Sequence, residues 1–374
     1  MGKILSKAIY PAFALVLLTV TFSCQKNVEK TTAVTNEEIA TKAIPPKDLK
    51  DFVQVNLVGD NDEYSPARID PNMVNGWGIS FPASGPAWVS AEGTGKSLVL
   101  NGDGSAVAIS PVTIPPAGPL PFSHPTGQVF NPTTDFKLPN GNPARFIFAT
   151  AEGGVSGWNG GATAIKKVDA FPNAAFLGIA LANDAGNNFL YVANFAQGKI
   201  NVYDKDWVEV INKPFSDPNL PDGYSPFNIQ AIDGKLYVLY AKVDPVEGEE
   251  ETGDGLGYVD VFNPDGSLVK RFISNGQLNA PWGIAKAPAG FWGEGSENTN
   301  VFLVGNFGDG HINAYTENGN FLGQLRQHGQ PIVIEGLWGI AFAPSTSTAL
   351  NRNWLFFAAG PDDEEHGLFG YIKK

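Results

Sequence analysis

A chain of 374 residues with 43 glycines, 28 prolines and only 17% charged residues suits many short strands joined by tight turns better than long helices. Its formal net charge of −13 supplies no basic stripe for phosphate neutralisation, which argues against a nucleic-acid partner. The single cysteine rules out an intramolecular disulfide framework.

The N-terminus reads as a processing signal. Lys3 and Lys7 form a short basic region, and an apolar run from Ala8 to Phe22 follows, too short for a comfortable membrane span. The run ends just before Cys24, behind the small residue Ser23, as in the lipobox of bacterial lipoproteins, although Thr21 stands where an aliphatic residue is usual. A signal peptide over residues 1–23 and a lipid on Cys24 are therefore expected, with an ordinary secreted protein as the alternative. Residues 24–51 are polar and lack any apolar period, as befits a flexible tether. The expected location is the cell envelope: an exported lipoprotein of the outer membrane, facing the periplasm or the surface.

From Phe52 onward the chain repeats. Trp77-Gly78-Ile79, Trp282-Gly283-Ile284 and Trp338-Gly339-Ile340 are strong copies of one phrase, with weaker copies at Leu177-Gly178-Ile179 and Phe227-Asn228-Ile229. The markers at 78, 178, 228, 283 and 339 step by 100, 50, 55 and 56 residues, so one is missing, and the run Pro143 to Phe148 is the candidate for it. Each unit continues with an apolar run such as Phe189 to Phe195, an alternating run such as Lys199 to Asp204, and a turn such as Pro264-Asp265-Gly266 before a fourth run. Alternation places one set of side chains on one face of a sheet, and Asp-Gly and Asn-Gly tolerate tight hairpins. Six units of four antiparallel strands over residues 52–374 predict an all-β, six-bladed β-propeller. The strand at Phe52 to Leu57 is expected to close the ring by completing the last blade, removing its open edge. The recurring tryptophans are expected to pack between neighbouring blades, with stacking on a planar ligand as the alternative.

With Ala-Asn-Phe, Gly-Asn-Phe-Gly-Asp-Gly and the terminal His-Gly-Leu-Phe-Gly added to Trp-Gly-Ile, the sequence resembles an uncharacterised family of exported bacterial propellers. More distantly it is similar to NHL-type propellers and to gluconolactonase-like enzymes. The resemblance implies the fold and little chemistry.

Blade topology brings the start of each inner strand and each loop between second and third strands to one face. Inner-strand starts nominate Asn75, Arg145, Asn228 and Glu335 for a ligand-binding rim. The second-to-third loops add Glu92, Glu152, Asn194, Asn306, Asp309 and His311, with the insertion Val243 to Gly257 and the run Asp362 to His366. Each of these also reads as a solvated turn residue. The gluconolactonase resemblance implies a divalent metal in the channel, for which Glu335, Asn75 and Asn228 would be ligands to calcium, but no second carboxylate stands where those enzymes place one. The four histidines show no zinc-ligand spacing, and no cofactor is required. Two functions follow as expectations. One is a membrane-tethered binding module for a protein, peptide or glycan, acting as a monomer. The other is a calcium-assisted lactonase-type hydrolase or lyase working on a small molecule in the channel.

Overall fold

The computed structural model describes residues 49–374. The signal peptide, Cys24 and most of the tether lie outside the described residues. Six small antiparallel sheets stand in a ring as a six-bladed propeller. The inner strands are Gly76–Ser80, Pro125–Phe130, Phe176–Asp184, Tyr224–Ile232, Pro281–Lys286 and Leu337–Phe342, which define the first to sixth blades in that order. Inward residues of facing sheets are apolar and buried, so the core is divided into clusters between adjacent blades, such as the one joining Ile147, Val155, Phe176, Ile179 and Val192. Alternation of Val, Ile, Leu and Phe along short strands is what fills these wedges.

The ring closes as the sequence predicts. Val53–Gly59 pairs antiparallel with Leu368–Lys373, in a register running from Val53 opposite Lys373 to Gly59 opposite Leu368, and completes the sixth blade. Phe52 is buried against Phe291 and Trp292 and anchors the start of this strand.

Two expectations need correction. The missing repeat marker is Gly127, within Thr126-Gly127-Gln128, and not the run from Pro143 to Phe148, whose residues 146–148 open the second strand of that blade, Phe146–Thr150. Gly127 stands 49 residues after Gly78 and 51 before Gly178, so the spacing is regular. The phrase was disguised because polar side chains replace Trp and Ile. They are satisfied internally: Thr126 Oγ1 donates to Phe176 O at 2.6 Å and Gln128 Nε2 donates to Gly78 O at 2.7 Å. The glycine is retained because inner strands touch there, and a Cβ on Gly127 would lie 2.8 Å from Ile179 N. Second, the third blade holds three strands instead of four. The segment after Tyr203 follows its edge only through a Tyr203–Glu209 bridge and the bond from Val210 N to Val202 O at 2.8 Å.

Candidate functional site at the mouth of the channel

The residue before each inner glycine, or before Asn228 in the fourth blade, is apolar in five of the six blades, and these side chains meet on the ring axis. Trp77, Leu177, Phe227, Trp282 and Trp338 form one buried cluster with Phe195. Trp77 stacks on Trp338 with ring centroids 3.4 Å apart, while Trp282 meets both edge-on at 5.7 and 5.9 Å. Phe307 stacks on Trp338 at 4.1 Å and Phe227 leans against it at 5.5 Å. Trp77 and Trp282 come from the first and fifth blades, which are not neighbours in the ring. The tryptophans thus meet across neighbouring blades, as expected, in the contacts of Trp77 and Trp282 with Trp338, and in addition join across the ring to plug the channel. The void remaining among the inner strands is about 20 Å³, room for about one water molecule. Trp338 Nε1 donates to Asn75 Oδ1 at 3.1 Å, whereas the buried indole N–H groups of Trp77 and Trp282 find no acceptor.

Acidic residues from several blades gather over this plug, organised by Asn75. Its backbone is left-handed (φ 48°) and its side chain is buried, 1% exposed, at the start of the first inner strand. Its Nδ2 donates to Glu92 Oε2 at 2.9 Å and to Glu364 Oε2 at 2.5 Å, so one amide links loops of the first and sixth blades. The other oxygen of Glu92 pairs with His124 Nδ1. Glu152 accepts from the backbone N–H groups of His124 and Ala117, each at 3.1 Å. The hydrogen bond to Glu92 raises the His124 pKa, against the opposing effect of burial. Burial pushes Glu364 up to about 7, with help from the charges of Glu92, Glu249 and Asp363 and against the hydrogen bond from Asn75. Glu250 is pushed up to about 8 by burial, with Glu364 and Glu249 adding to the effect. The charges of the fourth-blade insertion and of the sixth-blade loop thus act on one another. Taken together, the site is a half-buried anionic cup that retains protons near neutrality and gains negative charge as pH rises.

The loop supplying Glu364 is held in an unusual shape. Asp362, Asp363 and Glu364 adopt φ values of 56°, 49° and 68°, and each non-glycine residue in that region costs about 1–3 kcal/mol. Glu335 Oε1 accepts from Asp362 N at 3.2 Å, and His366 Nδ1 lies 2.8 Å from Asp60 Oδ2, pinning both ends of the loop.

The nominated residues are distributed unevenly around this cup. Asn75 is central, and Glu335 and His366 brace its outer loop. Asn194 caps a short turn, accepting from Gln197 N at 3.3 Å and donating to Asn201 Oδ1 at 3.0 Å. Asn306 Nδ2 donates to Gln277 O at 2.7 Å and to Asp309 Oδ1 at 3.1 Å, while His311 Nδ1 lies 3.2 Å from Asp309 Oδ1. These are side chains that shape the fifth-blade loop. Arg145 immediately precedes the second strand of its blade, and so lies on the opposite face of the disc. Asn228 lies within the ring itself, donating to Trp282 O at 2.7 Å and accepting from Ile229 N at 2.8 Å. Asn75 Oδ1 accepts from Trp338 Nε1 and Asn228 Oδ1 from Ile229 N, so one lone pair of each amide oxygen nominated for calcium is already engaged. Among the described residues no group of three or more His, Cys, Asp or Glu is arranged to hold a metal ion. Sequence reasoning missed His124, since the second inner strand was misplaced; the regular 49-residue step from Gly78 to Gly127 was the signal that places it at a strand start.

No family model matches the sequence. An uncharacterized protein of Acanthamoeba polyphaga mimivirus is 34% identical over 345 residues, covering 86% of this chain and 80% of the viral protein. A second uncharacterized protein of the same virus is 33% identical over 340 residues, covering 86% of each. The chain belongs to the family of these viral proteins. Among solved structures, a protein of unknown function from Bacteroides thetaiotaomicron superposes with a TM-score of 0.53 at 10% identity, covering 86% of this chain and 77% of that one. Virginiamycin B lyase from Staphylococcus aureus gives a TM-score of 0.49 at 12% identity, covering 86% and 99%. At such identities the likeness is one of fold alone.

Proposed function

We propose that this propeller is an extracytoplasmic binding module, exported and tethered through a lipid on Cys24, which holds a cationic segment of a protein or peptide ligand in the acidic cup. The observation that carries the reading is the aromatic plug directly beneath the cup. A lactonase-type reaction in the channel needs a substrate-sized void lined by free metal-binding oxygens. At the ring axis directly beneath the cup only about 20 Å³ remains, and the amide oxygens of Asn75 and Asn228 are hydrogen-bonded to buried N–H groups. A broad anionic rim over a closed channel suits a partner that rests on the surface, where convergent carboxylates attract Lys and Arg and steer encounter.

The test is fluorescence anisotropy of a labelled oligo-arginine peptide with the full chain. Binding is expected to strengthen from about pH 6 to about pH 8.5, as Glu364 and Glu250 ionise, and to weaken with salt. Glu92→Gln and Glu152→Gln should each reduce it. Binding that ignores pH and both substitutions would place the basic segment elsewhere and sink the reading. Incorporation of labelled palmitate into the wild type, and its loss in Cys24→Ser, tests the tether separately.

A further inference from the structure

The face opposite the cup carries a cavity that the binding-module reading does not use. There the inner strands end and turn into the second strands. The third and fourth blades make this turn on two residues, Ala185-Gly186 and Asp233-Gly234. In the fifth and sixth blades the connections instead span residues 287–300 and 343–354. These two long loops wall a cavity of about 650 Å³, within the range that holds small organic ligands. Ile232, Ile284, Ile340 and Phe342 are among its lining residues. Gln230, Ile284 and Ile340 also border the small void on the axis, so the cavity is the far mouth of the plugged channel and is a dead end.

Its charges differ from those of the molecule as a whole. Lys286 Nζ lies 2.5 Å from Asp233 Oδ2, which leaves that pair neutral. Arg352 has no carboxylate partner among the described residues, and its Nη1 donates to Ser345 O at 2.8 Å. A guanidinium has five N–H donors in a fork that matches a carboxylate, and Arg352, an exposed residue of the cavity lining, spends only part of that capacity on Ser345. A cavity with an apolar wall of Ile232, Ile284, Ile340 and Phe342 and one uncompensated cation at its edge favours an anion with an apolar body, against the general repulsion of a protein of net charge −13. We propose that this cavity binds a small carboxylic acid with an apolar body, the carboxylate on Arg352 and the body against Ile284, Ile340 and Phe342.

Calorimetric titration of the full chain with 4-phenylbutyrate, and in parallel with 4-phenylbutan-1-ol, tests it. Saturable binding of the acid is expected. Arg352→Gln should weaken the acid about tenfold or more while leaving the alcohol unchanged, because one charge-assisted contact is lost. Gln230→Trp, at an exposed strand position, should block both ligands by filling the cavity, and an unchanged unfolding midpoint would show that the fold is intact. Failure of the acid to bind overturns the proposal, as does binding that survives Gln230→Trp. An Arg352→Gln variant that weakens acid and alcohol equally overturns the assignment of a carboxylate.

Discussion

Glu364→Gln is expected to stabilise the protein, and by an amount that depends on pH. In the folded chain the Glu364 carboxyl titrates at about 7 instead of 4.5, so between those values the folded state keeps a proton that the unfolded state has released. The unfolded state then binds fewer protons, and stability falls as pH rises through this window. At 1.36 kcal/mol per pH unit the full displacement corresponds to about 3 kcal/mol, and half-burial of the side chain with solvent screening reduces this to about 1–2 kcal/mol. Gln is neutral, nearly isosteric, and its amide oxygen can still accept from Asn75 Nδ2. The variant should therefore match the wild type at about pH 4.5, gain on it with rising pH, and hold a constant advantage above about pH 7. Guanidinium unfolding followed by tryptophan fluorescence at about pH 4.5 and about pH 8 measures the difference. Removing the Glu364 charge also relieves Glu250, whose pKa of about 8 should move down. An advantage of equal size at both pH values, or destabilisation at the higher one, would refute the account of a proton-retaining cup.

Two further outcomes follow from the packing. Trp338→Ala removes a fully buried ring that touches Trp77, Trp282, Phe227 and Phe307 and frees Asn75 Oδ1, so a loss of about 3–5 kcal/mol is expected in denaturant unfolding. In the fourth blade Arg271 bridges Asp260 and Asp217, whose side chains are 0% and 2% exposed, and Arg271→Ala should cost about 3–5 kcal/mol by stranding both carboxylates. Burial holds Asp260 at about 6 even beside Arg271, and removing that guanidinium should raise it further, so the Asp260 part of the loss should grow as pH rises above about 6, as a pH series of unfolding midpoints would show.

The fold was legible because each blade must solve the same local problem, and Trp-Gly-Ile, the alternating runs and the Asp-Gly turns record the solution. Closure by the N-terminal strand was legible from a strand too many at one end and a strand too few at the other. The second blade escaped because its buried inner strand is polar: Thr126 and Gln128 meet their hydrogen-bonding needs against neighbouring strands, a pairing that hydropathy does not reveal. The site was legible only in part. Loop position singled out Asn75, Glu92, Glu152 and the run from Asp362 to His366, but which side chains converge depends on how far an insertion reaches across the ring. The electrostatic influence of Glu364 on Glu250 links residues of different blades and has no local signature. Asn75 and Glu335 stand three and four residues before the marker glycine of their blades and Asn228 at the marker itself, and they turn to an indole, a loop N–H and a backbone carbonyl respectively.

The closure strand has a mechanical meaning. Because Val53 lies opposite Lys373, both ends of the domain leave the disc on the face away from the acidic cup. A pull applied between the two termini would peel that ladder open one hydrogen bond at a time. A pull between the N-terminal segment and a partner seated in the cup runs instead along Val53–Gly59 and loads all the rungs together, the geometry in which a β ladder resists force best. The same strand that fastens the ring would then serve as a clasp that is weak to unzipping and strong in shear.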